Sequence, residues 1–307
     1  MRFGINILNF GPGTSPKSMY LWAKFAEEVG YHFVMISDHV AITPDVQAQF
    51  PAPFYDPFIS LSWIAGITKK VELGTTVTIL PYRHPLLTAR LASNLDHISG
   101  GRFILGIGVG WAKKEFEALD VPFELRGNLT NEYLDAIKVC LTDEIANYEG
   151  RFISFKDVQM NPSLASSRRL QIWVGGSSEA ALRRAVKYGD SWHPYRCRID
   201  WLKKEALPKL RNIAKLEGKP IPTLCPRIPL VLTNSPLPEN QRFAGQGTVD
   251  QIRADLEAFN SLGAKYVLLD TYNGNPEQTL TPEKDWAMLT IMAEQVLDLE
   301  KQTLRSM

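Results

Sequence analysis

The chain has 307 residues, of which 45% are hydrophobic and 22% are charged, a composition typical of a folded globular protein. Lys and Arg number 34 against 33 Asp and Glu, and no basic run marks a nucleic-acid or membrane surface. The three cysteines are far apart, which predicts buried thiols in a reducing compartment, and residues 1–13 resemble neither a signal peptide nor a membrane span, so we expect a cytoplasmic protein.

Strand-like and helix-like segments alternate along the chain. An apolar run at residues 3–10 predicts the first strand, and Ser15 with Pro16 predicts the start of a helix that Gly30 ends. Further strands are predicted at residues 32–37, 71–80, 102–110, 170–176, 190–195, 226–233 and 265–272, and an inserted hairpin at 148–160. Helices are predicted at residues 55–68, 84–99, 130–147, 177–189, 199–217 and 282–304, and another begins at Thr248, where Gln251 completes a capping box.

Eight strand–helix units predict a parallel sheet, because each crossover helix returns the chain to the same direction. Eight units favour closure, so we predict a (β/α)8 TIM barrel with insertions, a single domain over residues 1–307. An open doubly wound sheet is the alternative. The barrel needs roughly 250 residues, and the excess fits insertions at residues 40–56, 111–127, 146–170 and 233–247.

The site of such a barrel lies at the carboxyl ends of its strands. This rule selects His39 as a candidate proton donor or acceptor, since imidazole titrates near neutrality. The alternative is a histidine that only holds loop backbone in place. No histidines and carboxylates have the spacing of zinc motifs such as HExxH, so we expect no metal.

Glycine occupies every second position at the end of the fourth predicted strand, at Gly106, Gly108 and Gly110. Residues two apart in a strand share a face, so one face is nearly bare. The missing side chains leave a slot for a flat ring, or they reflect tapering core packing or a bulge. The stretch is not a dinucleotide fingerprint, because Trp111 stands where GxGxxG needs its last glycine.

Two glycines and two serines lie between the fifth predicted strand and its helix, at residues 175–178. Backbone N–H groups at a helix N-terminus, together with serine hydroxyls, make a cradle for a phosphate. The alternative is that Ser177 or Ser178 is a plain N-cap.

Several long motifs, taken together and in order, resemble the bacterial luciferase-like superfamily. They are "SDH" at residues 37–39, "LGTTVTILPYRHP" at 73–85, "LASNLDHISGGRFILGIGVGW" at 91–111, "EFEALDVPFELRG" at 115–127, "IWVGGSSEAALRRAVKYGDSWHP" at 172–194 and "GTVDQIRADLEAFNSLGAKYV" at 247–267. More narrowly, they resemble its branch of oxidoreductases that use the deazaflavin coenzyme F420. The likeness runs from about residue 3 to 300.

The resemblance implies a barrel that binds F420 or FMN at the carboxyl ends of its strands, and commonly a homodimer. It implies a non-prolyl cis peptide between Thr76 and Val77, behind the ring. It also places the ring, its tail and its phosphate among a set of residues that we predict as cofactor contacts: Asp38, Thr75, Thr76, Val77, Gly108, Gly110, Trp111, Gly175, Gly176 and Ser177.

One position departs from part of the family. Some sugar-phosphate dehydrogenases of the family carry a glutamate as proton donor where this chain has Trp111, and Glu115 lies a helical turn further on. We therefore expect a flatter, more apolar substrate, contacted by Trp111, Trp192 and Tyr195. The alternative is that these rings only pack in a lid.

We predict an oxidoreductase that moves a hydride between F420 and a small organic substrate, with His39 as its proton relay. The first alternative is an FMN-dependent monooxygenase that uses dioxygen. The second is a catalytically silent flavin-binding protein on the same barrel. We expect a small-molecule substrate and a second copy of the chain as partners, and no nucleic acid or membrane.

Overall fold

The computed structural model describes residues 1–162, 164–165 and 169–306. Its strands are β1 (Arg2–Asn6), β2 (Phe33–Ile36), β3 (Glu72–Thr75), β4 (Thr78–Ile79), β5 (Phe103–Gly108), β6 (Ile145–Glu149), β7 (Ser154–Gln159), β8 (Gln171–Gly175), β9 (Ser191–His193), β10 (Thr223–Leu224), β11 (Arg227–Pro229), β12 (Val231–Leu232), β13 (Gln246–Gly247), β14 (Tyr266–Asp270), β15 (Leu297–Asp298) and β16 (Thr303–Leu304). Its helices are α1 (Pro16–Val29), α2 (Pro44–Gln47), α3 (Pro57–Ile67), α4 (Pro85–Ser99), α5 (Lys113–Ala118), α6 (Arg126–Thr142), α7 (Glu179–Tyr188), α8 (Ile199–Trp201), α9 (Leu207–Leu216), α10 (Val249–Ser261) and α11 (Pro282–Gln295).

The parallel strands close into a barrel. In order around it, β1 is followed by β2, β3, β5, β8 and β9, and β14 pairs with β1 from the other side. The third position is shared by β3 and β4, which both pair with β5. The seventh is shared by β10, which pairs with β9, and β11, which pairs with β14. Within the described residues, eight parallel positions therefore form a ring, and the predicted (β/α)8 barrel is confirmed.

The ends of α1 follow from local chemistry. The Ser15 hydroxyl accepts from the Ser18 N–H, and the Ser18 hydroxyl accepts from the Ser15 N–H. Pro16 occupies the first turn. At the other end, Gly30 has a φ of 98°, a left-handed conformation that glycine adopts without steric cost. The predicted cap and stop are confirmed.

Several predicted elements have different bounds, and three of them bear on how the chain is connected. The helix predicted at 130–147 runs from Arg126 to Thr142, so the inserted hairpin begins with β6. The seventh strand starts at β10 and is interrupted near Pro226, which has no N–H to donate, and β12 leaves the barrel to pair with β13. The last helix ends at Gln295, and the chain then forms β15 and β16, whose turn places Gln302 to accept from the Phe3 N–H.

The three cysteines are buried and free, which confirms the expectation of buried thiols. None of the helices that the structure describes combines the length and apolar character needed to cross a bilayer.

Candidate active site

A cavity of about 420 Å³ opens at the carboxyl ends of the barrel strands. Its volume falls within the range of roughly 300–1,000 Å³ that is typical of small-molecule sites. Its wall contains His39 and most of the predicted cofactor contacts, namely Asp38, Thr76, Val77, Gly108, Gly110, Trp111, Gly175 and Gly176. Thr75 and Ser177 are not part of the wall. Sequence reasoning included His193 only as part of the strand end at residues 192–195, and it did not include several other wall residues, chiefly Gln49, Phe50 and Arg227.

The bare face of β5 accommodates the third strand. Between β3 and β4 the peptide bond from Thr76 to Val77 is cis, as the family resemblance implies. A Cβ on Gly106 would lie 1.9 Å from a backbone carbonyl oxygen of β3, and one on Gly108 would lie 2.5 Å from Val77 Cγ2. A Cβ on Gly175 would lie 3.1 Å from Val77 Cγ1. The expectation of an open slot is therefore wrong at Gly106, which faces backbone, and the space beside Gly108 and Gly110 is already taken by side chains of Val77 and Phe116. Gly108, Gly110 and Gly175 nevertheless border the cavity.

Asp38 ties two neighbouring strands together. Its Oδ2 accepts from the Ile79 N–H at 2.9 Å and from Arg83 Nη1 at 2.7 Å, and its Oδ1 accepts from Arg83 Nη2 at 2.9 Å. The Asp38 side chain is fully buried. Bidentate pairs of this kind have defined geometry, so the carboxylate fixes the segment that follows the cis peptide.

His39 belongs to a buried polar cluster. Its Nδ1 lies 2.6 Å from Oε2 of Glu115, a residue with no solvent exposure. Glu115 Oε1 accepts from the N–H groups of Val40 at 2.6 Å and Ala41 at 3.1 Å, and the Tyr82 hydroxyl donates to Oε2 at 2.9 Å. Burial raises the pKa of Glu115, but the hydrogen bonds, led by that from His39, outweigh burial and hold this pKa below its usual range. Among the described residues, nothing bonds His39 Nε2, so this nitrogen is left for a ligand.

Aromatic side chains form an apolar roof over His39. The ring of Phe50 stacks on the imidazole at a centroid distance of 5.4 Å, and Trp111 meets it edge-on at 5.8 Å. Phe54 contacts the imidazole from a third side at 5.5 Å. All three rings come from the predicted insertions at residues 40–56 and 111–127. Trp111 is 43% exposed and lies at the mouth of the cavity.

A polar layer forms the floor. Arg227 donates from Nε to Asp270 Oδ2 at 2.9 Å and from Nη1 to the carbonyl oxygen of Thr76 at 2.8 Å. The Thr76 hydroxyl lies 2.9 Å from His193 Nε2, and His193 Nδ1 faces the carbonyl oxygen of Cys225. A carbonyl only accepts, so Nδ1 carries the proton and Nε2 accepts from Thr76. Burial lowers the pKa of His193 to about 4, so this ring is neutral near neutral pH.

Strand alternation was the signal that could have distinguished His193 from Trp192 within the strand end at residues 192–195. Trp192 is fully buried outside the cavity wall, and its indole N–H donates to the carbonyl oxygen of Gly176 at 2.8 Å, so the prediction that Trp192 contacts substrate is wrong. Neighbours in a strand point to opposite faces, which turns His193 into the barrel. For Arg227, the signal was a single arginine within an otherwise apolar predicted strand. A buried guanidinium needs an acidic partner, which Asp270 provides.

The loop between β8 and α7 keeps the features expected of an anion cradle. Gly176 has a φ of 103°, which only glycine adopts readily. The Ser178 hydroxyl accepts from the Ala181 N–H at 3.2 Å, so Ser178 is the N-cap of α7. Ser177 is exposed, and the N-terminus of α7 opens next to the part of the wall formed by Gly175 and Gly176.

A second cavity of about 430 Å³ lies between α8 and α10. Its wall is mostly charged and includes the buried pair of Arg242 and Asp255, whose atoms Nη1 and Oδ2 lie 2.5 Å apart. It has neither a bare backbone wall nor a histidine. In the part of the chain that the structure describes, no group of three or more His, Cys, Asp or Glu side chains is arranged to bind a metal ion. The cavity at the strand ends is therefore the candidate active site.

Comparisons with known proteins agree with this fold. Residues 1–237 match the family model described as luciferase-like monooxygenase. An uncharacterized protein of Mycobacterium tuberculosis is 31% identical over 182 residues, which cover 55% of this chain and 62% of that protein.

Two solved structures have the same fold. An F420-dependent secondary alcohol dehydrogenase, solved with an F420–acetone adduct, is 15% identical with a TM-score of 0.74, over 92% of this chain and 97% of its own. The oxygenating constituent of 3,6-diketocamphane monooxygenase from Pseudomonas putida, solved with FMN, is 15% identical with a TM-score of 0.75, over 100% of this chain and 99% of its own.

Proposed function

Because the chain belongs to the luciferase-like monooxygenase family, whose members are flavin- or F420-dependent oxidoreductases, we propose that its cavity binds F420 and that the enzyme moves a hydride between F420 and a small organic substrate. One observation carries the proposal. The cavity combines a wall of bare backbone at Gly108 and Gly175 with the free Nε2 of His39. The likeness of the quoted motifs to the deazaflavin branch favours F420 over FMN.

The residues present fit such a cofactor. Because Gly108 and Gly175 have no side chains, the Val77 side chain packs against their backbone, and the cavity wall stays low enough there for a flat ring. The loop at Gly176 offers amide groups at the N-terminus of α7 for a phosphate. When bound, F420 supplies hydride chemistry, whereas FMN supplies electrons for dioxygen chemistry. The chain itself orients both reactants, excludes water beneath the aromatic roof and moves a proton at His39 Nε2.

A titration of the purified protein with F420, and separately with FMN, tests the proposal. We expect saturable changes in F420 absorbance at one site per chain, and weaker binding of FMN. A panel of small alcohols is then added to the F420 complex, and loss of the deazaflavin absorbance reports hydride transfer. Gly108→Ala should weaken F420 binding, because the new Cβ would lie 2.5 Å from Val77 Cγ2 and would displace this side chain, which lines the cavity. Gly66→Ala is the matched control, since its Cβ would meet open space.

An FMN-dependent monooxygenase is the second candidate, favoured by the FMN-bound structural neighbour. Tight binding of FMN, none of F420, and dioxygen consumption by the reduced complex would replace the first candidate with this one. Binding of either cofactor without turnover of any panel compound would support a silent flavin-binding protein.

We also propose that the chain, as one domain over residues 1–307, works in the cytoplasm as a homodimer. Large apolar side chains are exposed on α1, α3 and α4, which pack side by side: Tyr20, Ile59, Trp63, Leu87 and Ile98. Contiguous exposed apolar surface is typical of interfaces. We expect sedimentation velocity to show a dimer that becomes a monomer when Ile59 and Ile98 are both replaced by arginine. A monomeric wild-type protein would contradict this proposal.

A further inference from the structure

We propose that Glu115 is a positioning residue that holds His39 in the tautomer with its proton on Nδ1, so that Nε2 meets the ligand as a proton acceptor. The proposal deepens the function given above, since it rests on the cavity being the active site. It concerns a residue that never touches the ligand, because Glu115 is fully enclosed.

The hydrogen bonds around Glu115 leave it one consistent role. Oε1 receives two backbone N–H groups, from Val40 and Ala41, and a backbone N–H can only donate. Oε2 faces the Tyr82 hydroxyl and His39 Nδ1. Burial, and next the charge of Glu115, raise the pKa of Tyr82, so its hydroxyl stays protonated and donates. An ionised carboxylate accepts all four bonds, which leaves the Nδ1 proton on His39.

This arrangement has a consequence for the ligand. In the neutral ring with a proton on Nδ1, Nε2 has a lone pair and no proton. The ligand group that meets it must therefore be an O–H or N–H donor. When that bond breaks and the Nε2–H bond forms, the ring becomes positively charged 2.6 Å from the buried carboxylate, which stabilises it.

His193 provides an internal comparison. It has the same tautomer, set by the Cys225 carbonyl oxygen, but its Nε2 already accepts from Thr76. Only His39 combines a fixed Nδ1 proton with a free Nε2 among the histidines that line the cavity.

Nitrogen-15 NMR of histidine-labelled protein, without cofactor, measures the tautomer directly. The chain has five histidines, and the His39 signals are those lost in His39→Asn. In the neutral form we expect Nδ1 of His39 to show the shift of a protonated ring nitrogen and Nε2 that of an unprotonated one. The opposite pattern in the wild type would overturn the proposal even if no Glu115 variant folds.

Glu115→Gln supplies the second arm. The glutamine oxygen must stay on the Val40 and Ala41 N–H groups, so its NH2 group faces His39 Nδ1. We expect the His39 ring to change tautomer, so that its proton lies on Nε2 and Nδ1 accepts from the glutamine NH2 group. Tyr82→Phe is the control, because it removes one donor and should leave the tautomer unchanged. A folded Glu115→Gln protein with an unchanged tautomer would refute the role of Glu115. The titration with F420 tests the proposed function independently of the tautomer. A failure of the proposed function can therefore be distinguished from a failure of the role of Glu115.

Discussion

A His39→Asn enzyme is expected to turn over roughly 10²–10⁴ times more slowly than the wild type, which is the usual contribution of a positioned proton-transfer group. The asparagine amide occupies the place of Nδ1 and keeps a donor toward Glu115 Oε2, but nothing stands at the place of Nε2. The rate is measured as the change in F420 absorbance, with the panel alcohol that the wild type oxidises fastest. Binding of F420, measured in the same titration, should change little.

His84→Asn is the matched control for this prediction. His84 is exposed and caps α4 by accepting from the Leu86 N–H, a role that asparagine fills well. The His84→Asn enzyme should therefore keep the wild-type rate. If His39→Asn turned over as fast as the wild type, His39 would not carry the proton. If it lost F420 binding instead, the residue would serve the cofactor rather than the reaction.

Asp38→Ala is expected to lower the free energy of unfolding by about 3–5 kcal/mol, the typical cost of breaking a buried ion pair. The substitution leaves the Arg83 guanidinium, which is 9% exposed, without its bidentate partner. It also removes the acceptor of the Ile79 N–H, next to the cis peptide. Urea unfolding, followed by circular dichroism, measures the change.

The control for Asp38 is Asp56→Asn. Asp56 also contacts Arg83, at 2.9 Å, but its side chain is 36% exposed. Asparagine retains the oxygen that caps α3, so the variant loses only the partly exposed ion pair and hydrogen bond with Arg83, with an expected cost below about 1 kcal/mol. Equal losses in the two variants would show that burial of the Asp38–Arg83 pair does not matter.

The barrel was predictable because its signals are local and repeated. Ser15 and Gly30 mark the ends of α1 within a few residues, and the alternation of strands and helices implies parallel pairing without any knowledge of contacts. The position of His39 followed from the same logic, since it comes directly after a strand. The bounds of α6 and α11 were missed, because tertiary contacts, such as that of Gln302 with the Phe3 N–H, set where the chain turns.

Partners across the barrel were not predictable. Glu115 and His39 are 76 residues apart, and Arg227 and Asp270 are 43 apart, so no local pattern connects either pair. The sequence shows that β5 has a bare face, but what fills it belongs to another strand. Only the packing of β5 against β3 shows that Gly106 makes room for the backbone of β3 and not for a ligand.

The division between roof and floor has an evolutionary consequence. The floor, with Arg227, Asp270 and His193, is built from strand ends whose positions the whole barrel fixes. The roof rings, Phe50 and Trp111, stand on inserted loops, which tolerate changes in length and sequence. A gene duplicate that keeps Glu115, which stands on the same insertion as Trp111, can therefore exchange its roof rings, and with them the shape of molecule it admits, while inheriting the floor unaltered. Substrate range in such a lineage is free to diversify faster than chemistry.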